Sequence, residues 1–325
     1  MKKINAKSFW VKKKNFGFIK EHSIDKPKAS EALIKTIYSG ISFGTERIVF
    51  TGSVPKNQTK VMKCPHQEGE FGSNVKYGYL NVGKVIKGSQ KFKGKFVFTL
   101  FPHQNFFVLK EDDLVLIPKS VPKKRCLLIA NMETALNAIW DTSPTSGDTA
   151  IVVGAGIVGF MVAYLLKSTK GIDVTIIDKD KTKNKYAKHF DINFSNKIKK
   201  SSKVDFIYEC SGNPNILNQL STSLKEEGIL CILSWYGNQV SKMNFGENFF
   251  SKRLKIVFSQ VSKIPKHRMK DWNNKSRREL AMKMLGDQKL DKLIERKEIK
   301  FEDLPKFFDK NRVGKNYMCN VVKYS

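Results

Sequence analysis

The chain has 325 residues, of which 41% are hydrophobic and 27% charged, the usual balance of a globular protein with room for two domains. No apolar run reaches the roughly 18 residues of a membrane-spanning helix, and the opening MKKINAKSFW lacks the apolar stretch of a signal peptide. The five cysteines lie far apart with no CxxC pair, which excludes a zinc ribbon and argues against a disulfide framework. We therefore expect a cytoplasmic protein without a membrane span.

The formal net charge of +29 is the most unusual compositional feature. A charge of this size is typical of proteins that bind nucleic acid or an anionic membrane surface. The basic residues are mostly lysines spread along the chain, however, and they accompany abundant Asn, Ile and Phe, the mixture that an AT-rich genome favours. Because no nucleic-acid-binding motif accompanies the charge, we expect a small-molecule partner rather than a nucleic acid.

The character of the predicted elements changes near residue 120. Before it, the range 29–110 contains short apolar runs broken by Gly, Pro and Asn, which predict a β-rich domain. After it, ANMETALNAIWD (130–141) has helical spacing, and strand-like and helix-like stretches then alternate to about residue 258. This alternation is typical of βαβ units on a parallel sheet. A charged helix over 275–295 and a strand in the tail GKNYMCNVVKY complete the prediction.

The segment TAIVVGAGIVGFMVAYLLK (149–167) carries the most specific chemical signal. A buried strand, a GxGxxG turn and an apolar helix are followed by a second strand, DVTIID, that ends in Asp178. This order predicts a dinucleotide-binding site. Gly154 permits the tight turn, Gly156 allows the pyrophosphate to approach the backbone, and Gly159 lets the helix pack on the strand.

The same segment predicts which cofactor binds. The first helical residues, Ile157 and Val158, present free N–H groups and the positive end of the helix dipole to the phosphates. Asp178 can accept hydrogen bonds from the adenosine ribose but repels a 2′-phosphate, so NAD is favoured. Lys179 and Lys181 leave NADP possible, because neighbouring cations tolerate a phosphate.

Two later strands end in polar residues that belong to the same predicted crevice. VDFIYECSG (204–212) ends in Ser211 and Gly212, and GILCILSWYG (228–237) carries Tyr236. Ligands bind at the carboxyl ends of strands in such sheets. We expect Ser211, Gly212 and Tyr236 to line the cofactor site, although Tyr236 could instead only cap the sheet.

These motifs together resemble the medium-chain dehydrogenase/reductase superfamily over essentially the whole chain. The strings KYGYLNVGKV, LFPHQ and SKRLKIVFSQV are similar to one bacterial branch labelled zinc-type alcohol dehydrogenase, close to bacteriochlorophyllide dehydrogenases. The resemblance implies an α/β protein with a GroES-like β-rich substrate domain over 1–120, completed by 290–325. It also implies a Rossmann NAD(P)-binding domain over 121–289, a doubly wound parallel sheet, and a homodimer formed through the edge of that sheet.

The residues at the family's zinc positions are not zinc ligands. A GHExxGxV segment becomes GYLNVGKV, so that Tyr79 replaces the His and Leu80 the Glu. The early Cys becomes Ser42, the third ligand becomes Ala130 before Thr134, and the four-cysteine structural lobe is absent. Neutral Ser, Tyr and Ala do not make a Cys/His zinc site, so we expect no metal.

Without zinc, a side chain must handle the hydroxyl proton. Tyr79 is the first candidate because it stands at a lost ligand position, although it could simply be a packed tyrosine. The resemblance places Thr45 and Glu46 on an early loop at the border of the site. His66 and His103 are further candidates for the proton shuttle, and each could instead make only a structural hydrogen bond.

We therefore expect a zinc-independent NAD(P)-dependent oxidoreductase that transfers hydride between nicotinamide and an alcohol or carbonyl carbon. One alternative is the reduction of an activated double bond, as in the superfamily's zinc-free quinone and enoyl reductases. Another is a non-catalytic nicotinamide- or RNA-binding protein, which would bind RNA with a steep dependence on salt.

Overall fold

A computed structural model of the chain describes residues 3–199, 203–310 and 318–325. The strands within these residues, in chain order, are β1 (Ile4–Lys13), β2 (Phe16–Ile24), β3 (Glu31–Ile41), β4 (Glu68–Gly69), β5 (Val75–Lys76), β6 (Leu80–Lys87), β7 (Phe96–Thr99), β8 (Phe106–Lys110), β9 (Val115–Leu116), β10 (Thr149–Val153), β11 (Asp173–Ile177), β12 (Asn193–Ser195), β13 (Val204–Glu209), β14 (Leu224–Ile232), β15 (Lys255–Phe258), β16 (Ile299–Lys300) and β17 (Asn320–Lys323). The α-helices are α1 (Phe43–Phe50), α2 (Ile129–Thr142), α3 (Ile157–Ser168), α4 (Asn184–His189), α5 (Leu217–Ser221), α6 (Asn274–Met284) and α7 (Leu304–Lys310).

The chain divides into two compact units. The first contains Met1–Ile129 and Met282–Ser325, and the second contains Ala130–Ala281. No helix among the described residues has both the length and the apolar character that a membrane crossing requires.

The first unit is built mainly from β-strands. One sheet has the order β2-β1-β5-β4, and a second runs β16-β17-β3-β6-β7-β9 with β8 also paired to β3. The predicted strand in the tail is confirmed as β17, which pairs antiparallel with β3, while residues 311–317 of that segment lie outside the described residues. Residues far apart in sequence therefore share one sheet.

Aromatic rings fill the core of the first unit. Phe308 of α7 stacks on Phe9 of β1 at 5.3 Å and on Phe50 of α1 at 5.2 Å between ring centroids. All three rings are buried, and each contributes a large apolar area to the core. The returning segment is thus part of the core that the first fifty residues begin.

The second unit contains a six-stranded parallel sheet of order β12-β11-β10-β13-β14-β15. The chain runs outward from β10 to β11 and β12 on one side, and then returns to β13 on the other. The order of the strands therefore reverses between β10 and β13, which is where open α/β sheets bind ligands. The predicted Rossmann sheet is confirmed.

Three elements differ from the sequence-based expectation. The hairpin of β1 and β2 lies before residue 29, where no strand was predicted. The predicted early loop with Thr45 and Glu46 is wrong, because both residues lie in α1. The helix predicted over 275–295 ends at Met284, since Gly286 interrupts it and Asp287 caps a separate short turn.

Candidate active site and cofactor site

The glycine-rich turn after β10 has the tight geometry that its sequence predicts. Gly154 has φ +102°, and a Cβ there would lie 2.7 Å from backbone atoms of Cys210 and Ser211. A Cβ at Gly159 would lie 1.9 Å from the carbonyl oxygen of Gly154. Only glycine fits at both positions, because backbone atoms cannot yield as a flexible side chain can. Helix α3 therefore begins directly against the turn.

The start of α3 is open to a ligand. Gly156 precedes the helix, and Ile157 and Val158 form its first turn, with no side chain capping it. All three residues are half-buried. The uncapped N–H groups and the dipole of this twelve-residue helix suit a phosphate.

Asp178 lies at the carboxyl end of β11, beside the glycine-rich turn. Its Oδ2 accepts a hydrogen bond of 2.8 Å from the N–H of Ala155, and its Oδ1 accepts one of 2.9 Å from the N–H of Asp180. The side chain is half-buried, and Lys179 next to it is exposed. The carboxylate is thus fixed next to the turn by two backbone donors.

A third group lies at the carboxyl ends of β13 and β14. Glu209 is fully buried, and its carboxylate accepts hydrogen bonds from the Tyr236 hydroxyl at 2.6 Å and from the N–H of Ser211, also at 2.6 Å. The N–H of Gly212 donates to Ser234 Oγ at 2.9 Å. Burial raises the pKa of the Tyr236 hydroxyl, and the neighbouring Glu209 charge raises it further. The Tyr236 hydroxyl therefore stays protonated and donates a hydrogen bond to the Glu209 carboxylate.

In the first unit, Tyr79 and Ser42 form a hydroxyl pair. The Tyr79 hydroxyl donates to Ser42 Oγ at 2.6 Å. Burial raises the pKa of Tyr79 to about 12, while its hydrogen bonds with the side chains of Ser42 and Thr45 act in the opposite direction. The half-buried phenol therefore keeps its proton at neutral pH.

Glu46 and His103 meet behind this pair. His103 Nε2 lies 2.9 Å from Glu46 Oε2, and the other carboxylate oxygen accepts the N–H of Ser42 at 2.7 Å. Glu46 is 4% exposed and His103 is 1% exposed, so the contact is shielded from water. Four of the five predicted catalytic residues (Tyr79, Thr45, Glu46 and His103) are thereby brought together around Ser42.

His66, the fifth, lies apart from the group. It is exposed, has φ +58°, and places its ring on Phe101 at 5.4 Å. Among the described residues, no hydrogen bond joins His66 to the group around Ser42.

The residues at the family's zinc positions do not fit the metal. Ser42 and Tyr79 use their oxygens on each other, and Ala130 carries no donor atom. Zinc in proteins requires thiolate, imidazole or carboxylate ligands. Within the described ranges, no three His, Cys, Asp or Glu side chains come close enough to hold a metal ion.

Sequence reasoning missed three residues of these groups. Glu209 is the last residue of the apolar strand β13, and Ser211-Gly212, two residues further on, gave the only local signal. Ser39 Oγ lies 2.7 Å from His103 Nδ1 and 2.9 Å from the Tyr324 hydroxyl. Ser39 and Tyr324 are 285 positions apart, so no local spacing could have joined them.

Comparison with known proteins bears on the glycine-rich segment and on the fold. Residues 152–182 match the family model described as NAD(P)-binding Rossmann-like domain. The sorbitol dehydrogenase of Halalkalibacterium halodurans is 22% identical over 198 residues, which cover 57% of this chain and 54% of that protein. The chain thus spans about half the length of this curated relative.

Solved structures resemble the chain over nearly its whole length. The L-idonate 5-dehydrogenase of Escherichia coli has a TM-score of 0.80 at 14% identity and covers 99% of both chains. The acetophenone reductase of Geotrichum candidum, in complex with NAD, has a TM-score of 0.78 at 15% identity and covers 98% of this chain and 97% of that one. At these identities the similarity establishes the fold.

Proposed function

Since the chain resembles the medium-chain dehydrogenase/reductase superfamily in sequence and in fold, we propose that it is a nicotinamide-dependent oxidoreductase. It transfers hydride between the nicotinamide and an alcohol or carbonyl carbon. The observation that carries the proposal is the turn of Gly154 to Gly159 against α3, with the Asp178 carboxylate fixed beside it. Glycine at positions 154 and 159 lets the turn close tightly against its own backbone, so that the start of α3 can face a pyrophosphate.

The chain's own residues suit NAD better than NADP. The N–H groups of Ile157 and Val158 would hold the pyrophosphate, and the Asp178 carboxylate would accept hydrogen bonds from the ribose hydroxyls. Ser211, Gly212 and Tyr236 lie at the strand ends beside this turn and would border the nicotinamide side. The bound cofactor supplies or accepts the hydride, and Lys179 is the residue through which NADP could still be tolerated.

Tyr79 handles the proton in this proposal. A phenol with a pKa of about 12 is protonated at neutral pH, so it can donate to the oxygen of a carbonyl that is being reduced. Ser42 and Thr45 hold the phenol in place, and Glu46 with His103 holds Ser42 from behind. The donor set supports a reaction without zinc.

A double-bond reductase is the second candidate. The observation in its favour is the same donor set, because reduction of the double bond of an enone needs less polarisation of the substrate oxygen than zinc supplies in an alcohol dehydrogenase. The polyanion-binding alternative is supported only by the net charge of +29.

One set of assays separates these candidates. We expect NADH to bind, metal analysis to find less than stoichiometric zinc, and turnover with sorbitol, L-idonate, 2-butanol or acetophenone. Turnover of cyclohexenone alone would favour the double-bond reductase. Salt-dependent RNA binding without nicotinamide binding would overturn the oxidoreductase proposal.

We also propose a cytoplasmic homodimer formed through the edge of the parallel sheet. Strand β15 is the last strand of that sheet, and Phe258 at its end is 71% exposed. An uncovered edge strand with an exposed aromatic side chain suits pairing with a second copy. Sedimentation of the protein and of Phe258→Lys checks this, and a wild-type monomer would contradict it.

A further inference from the structure

Four buried side chains of the first unit form a continuous hydrogen-bonded chain. Glu46 Oε2 lies 2.9 Å from His103 Nε2, His103 Nδ1 lies 2.7 Å from Ser39 Oγ, and Ser39 Oγ lies 2.9 Å from the Tyr324 hydroxyl. Their exposures are 4%, 1%, 0% and 7%, in the order Glu46, His103, Ser39 and Tyr324. This row of hydrogen bonds therefore runs from α1 to the residue after β17, and all four residues are shielded from water.

Only one direction of donation satisfies every hydroxyl and ring proton. If Tyr324 donates to Ser39, Ser39 donates to His103 Nδ1, and the neutral ring donates from Nε2 to an ionised Glu46, each donor has an acceptor. In the reverse direction Ser39 donates to Tyr324, whose own proton then has no acceptor among the described residues. A protonated ring would donate from Nδ1 to Ser39, and the hydroxyl proton of either Ser39 or Tyr324 would then have no acceptor within this group. Because buried donors are rarely left unpaired, the forward direction is favoured.

The carboxylate at the end of this chain also holds the site. Glu46 Oε1 accepts the N–H of Ser42, and Ser42 Oγ accepts the hydroxyl of Tyr79. Each oxygen of Glu46 is thus fixed by a different donor, one of which is the ring of His103. A shift of the ring would move the carboxylate, and with it the Ser42–Tyr79 pair.

The backbone leaves a fitted space for this ring. Gly78 has φ +121°, and a Cβ there would lie 2.9 Å from His103 Cδ2 and 3.1 Å from Nε2. Phe9 contacts the ring edge-on at a centroid distance of 6.3 Å. Only glycine at position 78 allows the ring to lie between these neighbours.

We propose that His103 is a positioning residue that stays neutral, carries its proton on Nε2, and orients Tyr79 through Glu46 and Ser42. The proposal rests on the function assigned to Tyr79 above and adds Ser39 and Tyr324 as the groups that select the tautomer of His103. The ring transfers no proton to the substrate in this scheme.

The variant Glu46→Gln tests the direction of donation along this row of hydrogen bonds. The N–H of Ser42 is a fixed donor, so the amide oxygen of Gln must face it and the amide NH₂ must face His103. The ring then accepts at Nε2 and carries its proton on Nδ1. Nitrogen-15 NMR of labelled histidine distinguishes the two tautomers, and the chain has five histidines, of which His103 is identified by its loss in His103→Gln.

Kinetics test the consequence for the site. We expect Glu46→Gln to move the His103 proton to Nδ1 and to lower kcat for reduction of acetophenone about tenfold or more, with the Kd for NADH unchanged. Ser39→Ala reaches the ring from its other side, so it tests the same link if Glu46→Gln fails to fold, and we expect kcat to fall there as well. Glu111→Gln is the control, because Glu111 also accepts a backbone N–H, from Ser89 at 2.6 Å, but the residue is half-buried, this hydrogen bond is exposed, and Glu111 lies 65 positions from Glu46 in sequence.

The outcomes separate the two proposals. A wild-type ring that is doubly protonated, or that carries its proton on Nδ1, overturns the inference. So does an unchanged kcat in both variants. Failure of the unaltered protein to bind NADH or to turn over any substrate would overturn the proposed function and the role of His103 with it, whereas turnover insensitive to both variants overturns the role of His103 alone.

Discussion

At the scale of single residues, Tyr79 is the side chain on which the proposed proton transfer depends most directly. Its hydroxyl holds the proton of the Tyr79–Ser42 hydrogen bond, and a substrate oxygen would take the place of Ser42 Oγ as the acceptor of that proton. We expect Tyr79→Phe to lower kcat for carbonyl reduction by about 100-fold or more, the usual contribution of a general acid, and to leave NADH binding unchanged. Steady-state kinetics and a fluorescence titration with NADH check this.

Tyr77 provides the matched control for that variant. It is a buried tyrosine two positions away whose pKa burial also raises, but it belongs to the aromatic core rather than to the Ser42 group. Tyr77→Phe should keep full turnover. Wild-type turnover in Tyr79→Phe would show that Tyr79 only fills the position of a lost ligand.

Asp178 should decide the choice between the two cofactors. Its charge favours ribose hydroxyls and opposes a 2′-phosphate, so Asp178→Asn should weaken NADH binding and improve NADPH binding. We expect the ratio of the two Kd values to move about tenfold toward NADPH, which is about 1.4 kcal/mol. Asp173→Asn, at the exposed start of β11, is the control. An unchanged ratio would remove Asp178 from the cofactor site.

At the scale of elements, the contact between α3 and the glycine-rich turn leaves no room for a side chain at Gly159. A methyl group at Gly159 would lie 1.9 Å from the carbonyl oxygen of Gly154, so the helix would have to move away from β10. We expect Gly159→Ala to destabilise the protein by about 1–3 kcal/mol, the usual range for overpacking, and to abolish NADH binding. Urea unfolding and a binding titration measure both effects.

Gly246→Ala is the comparison for that variant. An added Cβ there would meet nothing nearer than 3.6 Å, and the residue belongs to the same unit. Its stability and its NADH binding should match the wild type. Equal losses in the two variants would mean that the turn is not specially constrained.

The elements that sequence predicted well are those whose signal is local. The strand, turn, helix and acid of the Rossmann half lie within thirty consecutive residues, 149–178, so their order could be read directly. The resemblance placed Thr45 and Glu46 on a loop, and the eight residues of α1, which include Gly44, carry only a weak helical signal of their own. Its helical form depends on Glu46, whose side chain bonds the N–H of Ser42, and on burial of one face, which a short segment does not reveal.

At the scale of the whole molecule, the contacts that the sequence did not predict are those between residues far apart along the chain. The catalytic candidates were named one by one, but the pairing of His103 with Glu46 spans 57 positions and the link to Tyr324 spans 285. The Ser39–Tyr324 contact follows from the sheet that joins β3 and β17, and sheet pairing across the chain has no local sequence signal. The hydrogen bonds among these side chains could be identified only from the fold.

The molecule as a whole should lose stability in alkali. Burial raises the pKa of Cys64, Cys126 and Cys319 to about 12, and that of Tyr79 to about 12. A raised pKa means that the folded state keeps a proton that the unfolded state has released. The stabilisation is complete below the unfolded pKa, about 9 for cysteine, and is lost as the pH rises toward 12.

The free energy of unfolding should therefore be constant near neutral pH and fall from about pH 9 upward for the cysteines and from about pH 10 for Tyr79, by about 1.4 kcal/mol per pH unit for each buried group. Urea unfolding at a series of pH values from 7 to 11, under reducing conditions, measures it. The three cysteines can be checked singly, for example with Cys126→Ala, which should make the decline shallower. A free energy of unfolding that does not change up to pH 11 would contradict the prediction.

The stack of Phe9, Phe50 and Phe308 cannot be completed until late in the synthesis of the chain. Phe308 is made 258 residues after Phe50, which at 5–20 residues per second is a delay of about 13 to 50 s. Throughout that interval the first unit lacks the ring that covers two of its largest core side chains, while the whole of the second unit is being translated. During synthesis, the first unit, which contains the proposed proton donor Tyr79, is therefore the part of the chain that needs protection from aggregation.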